Sequence, residues 1–391
     1  MATITSNWTQ AVAEERTRSA TKRFYHPELD ILRFFAFFMV FLHHALPHDP
    51  AFYTAMNVPI VMARLFAAIG ASGAFGVNLF FVLSAYLITE LLLRERALLG
   101  DVDLRAFYMR RILRIWPLYF AFLAVAAALA IFMPGQQLPW NTALAFTALS
   151  GNWWIVFKGF PSSVIFPLWS VSIEEQFYIF WPAAMRRLRQ PFLLAFAVLL
   201  LGIASLTRLY LGTHGATETQ VWCNTFAQLD PIALGILAAI FLRGRAPQLS
   251  TLARVALVAF GVVALAAAGS YWQIKGDPLT VSRIMLGYPA VALGSIALLL
   301  AFLCESAPLR KSAFVYLGRI SYGLYVFHIL GLMSSDYIVP HYDSSFARYM
   351  LRNAVALSIT IALSAASYRW LETPFLNLKQ RFTHVLSRPG G

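Results

Sequence analysis

The sequence predicts an all-α polytopic membrane protein, on three observations. Hydrophobic residues make up 59% of the 391 residues and charged residues only 13%, against about a quarter charged in soluble domains. Apolar runs of about 20 residues recur along the chain, which is the length that crosses a bilayer as a helix. Basic residues gather in the segments between alternate runs, as cytoplasmic loops do.

Ten of these runs are predicted to be transmembrane helices. They cover approximately 31–48, 74–93, 115–133, 166–186, 191–211, 224–243, 252–272, 284–304, 313–333 and 346–371. When the N-terminus is placed inside, most of the 31 Lys and Arg residues fall on the inner side, and the sides alternate at every crossing. We therefore expect about ten transmembrane helices with both termini cytoplasmic. The expected organisation is an N-terminal segment at 1–28, a transmembrane domain at 29–376 and a tail at 377–391.

Charge and cysteine content exclude two other classes. The net charge of +13 is explained by the topology of the loops, so it does not indicate a nucleic-acid-binding protein. Cys223 and Cys304 stand alone in apolar runs, without the spacing of a metal site or a disulfide framework. Two long segments on the predicted outer side, 49–73 and 134–165, combine apolar and tryptophan residues, which favours interfacial or re-entrant helices.

The first predicted span, LDILRFFAFFMVFLHHA, carries polar groups at both ends. Asp30 and Arg33 lie near its start, and His43 and His44 lie at its end. Ionisable residues inside a membrane segment are costly, so they usually face a cavity or a partner. Arg33 and His44 are eleven residues apart, which returns to nearly the same helix face about 16 Å further along the axis. A neutral imidazole in apolar surroundings can take a proton from a hydroxyl, so His44 is a candidate base and His43 has a supporting role.

The next polar features follow at 70–88. Gly70, Gly73 and Gly76 recur every third residue, a spacing that suits close approach of the backbone to a neighbouring helix or to a ligand. Ser84 lies in mid-span, where such a residue more often bonds its own helix backbone.

Three arginines precede the third span. Arg110, Arg111 and Arg114 occur in YMRRILRIWPLYF, and Arg111 and Arg114 are neighbours on a helix face. Charge alone favours topology and lipid headgroup contact for this cluster. Two guanidinium groups at this spacing could also clamp a phosphate.

The segment PLWSVSIEEQFYIFWP holds the candidate carboxylates. Ser172 and Glu175 have the spacing of a capping box. Glu174 and Tyr178 lie four residues apart on one helix face, where a carboxylate is able to orient the imidazole of His44.

A late span contains SYGLYVFH, with Tyr322, Tyr325 and His328. His328 is a weaker candidate for catalysis than His44. At the end of the last span, Glu372 beside Pro374 predicts a helix stop.

Taken together, these motifs resemble the acyltransferase-3 family of integral membrane O-acyltransferases. The family elements occur in order over nearly the whole chain, as LDILRFFAFFMVFLHH, GVNLFFVLSAYLI, RRILRIWPLY, LWSVSIEEQFYIFWP, ISYGLYVFH and ETP. The family pattern of arginine, ten residues and histidine falls on Arg33 and His44, and its paired arginines fall on Arg111 and Arg114. The acidic motif falls on Glu174 and Glu175. One departure is Ala85, where the family usually has glycine after LFFVLS.

The resemblance implies a function and a location. We expect transfer of an acyl group, chiefly acetyl, from cytoplasmic acyl-CoA to a hydroxyl of a cell-surface carbohydrate or glycolipid, in the inner membrane of a bacterium. Acetyl-CoA or another acyl-CoA would be the donor substrate, with no bound cofactor and no metal. In this interpretation His44 and Glu174 are catalytic, and Arg33, Arg111 and Arg114 bind the donor. Asp30, His43, Glu175, Tyr178 and His328 hold supporting or substrate-binding positions.

The alternative is a membrane transporter or flippase of a lipid-linked sugar or small molecule, which buried polar residues and glycines would also suit. No internal two-fold repeat is apparent in the sequence, which disfavours the common transporter architectures. The sequence leaves open the acceptor, acetyl against longer acyl donors, a covalent acyl-histidine against direct transfer, and the oligomeric state.

Overall fold

A computed structural model of the chain describes residues 24–303, 312–339 and 345–385. Within these residues the secondary structure is helical and contains no strand. The helices are α1 (Pro27–Ala45), α2 (Pro50–Thr54), α3 (Ile60–Gly73), α4 (Gly76–Leu99), α5 (Leu104–Phe132), α6 (Trp140–Thr147), α7 (Gly151–Lys158), α8 (Trp169–Arg187), α9 (Gln190–Thr213), α10 (Glu218–Trp222), α11 (Leu229–Leu242), α12 (Thr251–Ala266), α13 (Val281–Phe302), α14 (Ala313–Arg319), α15 (Ser321–Ile338), α16 (Phe346–Ser367) and α17 (Thr373–Lys379). Most of the predicted N-terminal segment, and the chain beyond residue 385, lie outside the described residues.

Six stretches of the described chain are helical, long and apolar enough to cross a membrane. They are Ile60–Leu99, Leu104–Phe132, Gln190–Thr213, Thr251–Tyr271, Val281–Phe302 and Phe346–Phe382. The pair α14 and α15, bent by 80° at its junction, would make a seventh. The described part of the chain therefore has the architecture of an all-helical, multi-pass membrane protein.

The three other predicted spans are helical but less apolar or shorter. Helix α1 contains Glu28, Asp30 and Arg33, and α8 contains two glutamates and ends in two arginines. Helix α11, with its preceding turn, is a shorter apolar helix. The count of ten spans and the cytoplasmic termini remain predictions.

The surface of the apolar helices is suited to lipid. In α9, only 28% of the most apolar stretch is buried inside the protein, and exposed side chains include Leu206 and Val198. Exposing this much apolar surface to water would be unfavourable, whereas lipid tails solvate it. The predicted outer segments also contain helices, α2 and α3 in 49–73 and α6 and α7 in 134–165.

The three regularly spaced glycines hold helices against α1. Gly70 and Gly73 lie in the last turn of α3, and Gly76 is the first residue of α4. A Cβ at any of the three would overlap a backbone carbonyl of the α1 segment, at Leu46, Met39 and Ala36 respectively. These glycines therefore allow α3 and α4 to approach α1 closely, and α1 lies at the centre of this part of the bundle.

The last predicted span does not stop at Glu372. A π-helical turn, Tyr368–Glu372, leads directly into α17, and Pro374 occupies the first turn of that helix. The predicted helix stop is wrong because proline at this position loses no helical hydrogen bond and has the φ angle that a helix start needs.

Candidate active site

Helix α1 connects two cavities. One cavity, at the N-terminal end of α1, is lined by Arg33, Arg111, Arg114 and Glu174 among others, and we call it the arginine cavity. The other, at the C-terminal end, is lined by His43, His44, Phe166, Trp222 and Lys275 among others, and we call it the histidine cavity. The two groups that the sequence singled out on α1 therefore face different cavities, Arg33 the first and His44 the second.

The arginine cavity collects cationic groups from separate helices. Arg33 comes from α1 and lies 3.4 Å from a carboxylate oxygen of Asp30, one turn earlier. Arg111 and Arg114 come from α5, and Lys379 comes from the end of α17. The three arginines that the sequence assigns to donor binding therefore line one cavity, and that role stays a prediction.

Arg111 is poised toward the cavity. Its guanidinium carbon lies 5.5 Å from the ring centroids of both Phe107 and Tyr178. Its Nε atom is buried and has no hydrogen-bond partner in the part of the chain that the structure describes. Stacking on aromatic rings orients a guanidinium while leaving N–H groups available for an anion.

Arg110, the preceding residue, serves the fold instead. One guanidinium nitrogen donates to a carboxylate oxygen of Glu95 at 2.5 Å, and the other donates to the Phe382 carbonyl at 2.7 Å. Glu95 also accepts from the Asp103 amide, just before α5 begins. Arg110 therefore joins α4, α5 and the C-terminal segment, and it does not line either cavity.

Glu174 lies in the arginine cavity and not beside His44. Its Oε1 accepts a hydrogen bond from the Ser84 hydroxyl at 2.8 Å, and its Oε2 accepts one from the Tyr178 hydroxyl at 3.2 Å. The expected contact between Glu174 and His44 is not formed, because this face of α8 points toward α4 and α5. Ser84, predicted to bond its own helix, instead bonds across to α8.

Glu175 has a different partner from the one predicted. Helix α8 starts at Trp169, so Ser172 is already inside it and donates to the Leu168 carbonyl at 3.4 Å. Glu175 accepts from the Trp116 indole at 3.1 Å. The predicted capping box is therefore wrong, because the helix begins three residues before the expected cap. Glu175 ties α8 to α5.

The histidine cavity brings together two histidines that are distant in sequence. The His44 ring centroid lies 5.1 Å from that of His328 on α15, and 5.4 Å from that of Phe166. His44 has no hydrogen-bond partner within the described ranges, so its ring nitrogens remain available to a substrate. A base that is not already bonded can accept the proton of an incoming hydroxyl.

His328 has one ring nitrogen bonded and the other free. Its Nδ1 lies 2.5 Å from the Tyr325 carbonyl, which can only accept, so Nδ1 carries the hydrogen. Its Nε2 is buried and has no partner among the described residues. The sequence ranked His328 below His44, and no local signal in SYGLYVFH indicates that its ring meets the end of α1.

His43 supports the cavity from the side. Its Nδ1 lies 2.9 Å from the Gly70 carbonyl, and its ring stacks on His48 at 4.6 Å between centroids. The supporting role of His43 stays a prediction. Despite these neighbouring histidines, no group of three or more His, Cys, Asp or Glu in the described ranges has the arrangement to hold a metal ion.

Lys275 and Trp222 are site residues that the sequence interpretation missed. Lys275 forms an ion pair with Glu218 and lies 4.2 Å from the Trp222 ring centroid. In the sequence Lys275 is one loop cation among several, so nothing connects it with the histidines 230 residues earlier. The structure gives the histidine cavity an aromatic wall and a cation at its edge.

The sequence of the chain is similar to that of known proteins. The family model described as an acyltransferase domain matches residues 26–369. The peptidoglycan O-acetyltransferase OatA of Listeria monocytogenes is 28% identical over 335 residues, which cover 78% of this chain and 51% of that protein. The O-acetyltransferase OatA of Staphylococcus aureus strain NCTC 8325 is 29% identical over 345 residues, which cover 81% of this chain and 55% of that protein. The chain thus spans about half the length of these relatives, and no solved structure matches it.

Proposed function

Because the chain belongs to the acyltransferase 3 family, we propose that it is a membrane O-acetyltransferase of a bacterial inner membrane. It moves an acyl group, chiefly acetyl, from cytoplasmic acyl-CoA to a hydroxyl of a cell-surface carbohydrate or glycolipid. The relatives named above as O-acetyltransferases support the reaction type. The observation that carries the proposal is that helix α1 borders two cavities. One is rich in arginine, and the other contains imidazole nitrogens without hydrogen-bond partners among the described residues.

The arginine cavity is the donor site in this proposal. An acyl-CoA carries several phosphate groups, and guanidinium groups recognise phosphate through paired, charge-assisted hydrogen bonds. Arg33 and Arg111, with Arg114, supply such groups from two helices. The unsatisfied Nε of Arg111 gives this residue a donor for which the described protein offers no acceptor. With the N-terminus inside, this cavity opens toward the cytoplasm, where acyl-CoA is available.

The histidine cavity is the site of chemistry. His44 removes the proton from the acceptor hydroxyl as the hydroxyl oxygen forms a bond to the acyl carbon. The carbon–sulfur bond then breaks, and the thiolate of CoA leaves and takes up the proton. General-base catalysis of this kind contributes typically about 10²- to 10⁴-fold in rate. His328, beside His44, supplies a second acceptor nitrogen for holding the hydroxyl.

Glu174 has a donor-side role. Its carboxylate holds Ser84 and Tyr178, and it offsets part of the arginine charge when no donor is bound. An isolated cluster of cations in a low-dielectric site is unfavourable, and a neighbouring carboxylate lowers that cost.

The test is acetyl transfer by the purified full chain in lipid nanodiscs. Acetyl-CoA labelled in the acetyl group is supplied with peptidoglycan glycan fragments, the polymer named for the Listeria relative, and label in the glycan is counted. His44→Ala is expected to lose at least about 100-fold in rate, following the contribution of a general base. The matched control is His214→Ala, because His214 is exposed and stacks on Tyr210 outside both cavities.

Two results would contradict the proposal. Full activity of His44→Ala would remove the histidine cavity from the chemistry. An intact thioester together with movement of a labelled lipid-linked sugar across reconstituted vesicles would favour the transporter alternative.

A further inference from the structure

The arginine and histidine cavities share a wall. Of the described residues that line them, Val77 and Tyr325 are the two that face both cavities. Each residue is only 6% exposed. The two side chains come from different helices, α4 and α15, and each lines both cavities.

Tyr325 is fixed in this wall by its hydroxyl. The hydroxyl donates to the Pro167 carbonyl at 2.9 Å, and the Ser170 hydroxyl lies 2.6 Å from it. These contacts anchor the end of the ring to the start of α8. The ring itself lies against Phe80 and His328, with centroid distances of 5.9 and 5.6 Å. A tyrosine held at both its ring and its hydroxyl cannot turn aside without losing a buried hydrogen bond.

Val77 is fixed by its backbone. The preceding residue, Gly76, lies so close to the Ala36 carbonyl of α1 that a Cβ there would overlap it. This contact sets the distance between α4 and α1 at the position of Val77. A valine has one strongly preferred side-chain rotamer in a helix, so its methyl groups have a defined place in the wall.

The reaction requires the acyl group to reach this wall. In the proposed function the phosphates of the donor lie with the arginines, whereas the acyl carbon must meet a hydroxyl held at His44. The acyl carbon exchanges its bond to sulfur for a bond to the acceptor oxygen, and the thiol leaves on the donor side with the proton. The alkyl end of the acyl group must therefore fit between or beside Val77 and Tyr325 while the bonds change.

We propose that Val77 and Tyr325 select the acyl group by size and restrict transfer to acetyl. This inference rests on the proposed function and specifies which acyl group the donor carries. One additional methylene that must fit in an apolar site changes discrimination by roughly 10- to 200-fold. A wall made of a stiff valine and an anchored tyrosine has little freedom to make that space.

The experiment compares acetyl-CoA with butyryl-CoA in the nanodisc assay. Val77→Ala removes two methyl groups from the wall, and we expect it to raise the butyryl-to-acetyl ratio of kcat/KM at least tenfold. Val77→Ile adds a methylene to the wall, and we expect it to lower the propionyl-to-acetyl ratio of kcat/KM. These opposite shifts keep the test decisive if one of the two variants fails to insert.

The chain offers two matched controls. Val40 lines only the histidine cavity, and Val171 lines only the arginine cavity. Val40→Ala and Val171→Ala make the same change in side-chain volume away from the shared wall, and they are expected to shift the ratio less than threefold. Equal shifts in the controls and in Val77→Ala would overturn the proposal.

Tyr325→Phe tests the anchored tyrosine separately. It keeps the ring and removes the hydrogen bonds to Pro167 and Ser170, and we expect the butyryl-to-acetyl ratio to rise at least threefold. An unchanged ratio in this variant would remove Tyr325 from the proposal. If the wild-type chain transfers no acetyl from acetyl-CoA, the proposed function has failed; if it transfers acetyl and Val77→Ala keeps the wild-type ratio, only the selectivity inference has failed.

Discussion

The two cavities along α1 differ in the kind of polar atom that is left without a hydrogen bond. In the arginine cavity Arg33 and Glu174 have partners, at Asp30 for the arginine and at Ser84 and Tyr178 for the glutamate, and the unbonded atom is Nε of the cationic Arg111. In the histidine cavity the unbonded atom is Nε2 of the His328 imidazole. Charge in a membrane protein must be compensated, whereas a neutral base costs less to bury and is most useful when unbonded.

This difference indicates that the two cavities have separate roles. The arginine cavity has the features of binding, where many fixed charges recognise an anion and contribute mainly to affinity. The histidine cavity has the features of proton transfer, where a few groups contact the reacting atoms. Substitutions in the first should therefore change KM for the donor, and substitutions in the second should change kcat.

After the loss expected for His44→Ala, the largest effect is expected at Arg111. Arg111→Ala should raise the KM for acetyl-CoA about 10- to 100-fold, since a hydrogen bond to a charged group contributes about 1.5–3 kcal/mol. Arg111→Lys keeps the charge without the planar fork and should recover only part of this loss. Steady-state kinetics of the reconstituted protein measure both variants.

Arg110→Ala is the control for Arg111, because Arg110 is its neighbour but bonds Glu95 and Phe382. It should leave the KM of the folded fraction within about threefold and lower the thermal unfolding midpoint in detergent, because Glu95 loses a buried partner. A larger KM effect at Arg110 than at Arg111 would reverse the assignment of the two arginines.

A smaller effect is expected at His328. His328→Asn can still donate to the Tyr325 carbonyl but has no atom at the Nε2 position, so kcat should fall about tenfold with little change in KM. His328→Gln carries its amide further from the backbone, near the Nε2 position, and should retain more activity than His328→Asn. Equal losses in the two variants would show that Nε2 has no role of its own.

Substitution of Glu174 tests whether this residue acts in the arginine cavity or on His44. A carboxylate in the arginine cavity opposes the phosphates of the donor, so Glu174→Gln should lower the KM for acetyl-CoA about threefold while kcat stays within threefold. If Glu174 instead oriented His44, kcat would fall by about 100-fold or more, as for other groups that hold a catalytic imidazole. Ser84→Ala, which leaves the charge of Glu174 in place, should leave the KM within twofold.

The sequence predicts the helices and the residues of the site better than it predicts their contacts. Apolar runs located the helices, and the cost of burying Arg33 and His44 identified α1, because both are local properties of the chain. The partner of Glu174 depends on how α8 turns toward α4, which no local pattern contains. The contact of His328 with His44 is missing from the prediction for the same reason, since it joins residues 284 positions apart. The capping box failed because the true helix start, Trp169, precedes the matching residues.

The smallest effect is expected at the ion pair of Lys275 and Glu218, at the edge of the histidine cavity. Both side chains are largely buried, with 13% and 12% of their surface exposed, and the cost of removing both charges from water offsets much of the attraction within such a pair. If the pair only steadies the ring of Trp222, Lys275→Ala and Glu218→Ala should each raise the KM for the glycan acceptor two- to threefold. The double variant should then resemble either single variant, because each removes the same interaction. A loss at Lys275 that exceeds the loss at Glu218 by tenfold would show that the ammonium group contacts the acceptor directly, and would place a binding charge in the cavity that otherwise serves proton transfer.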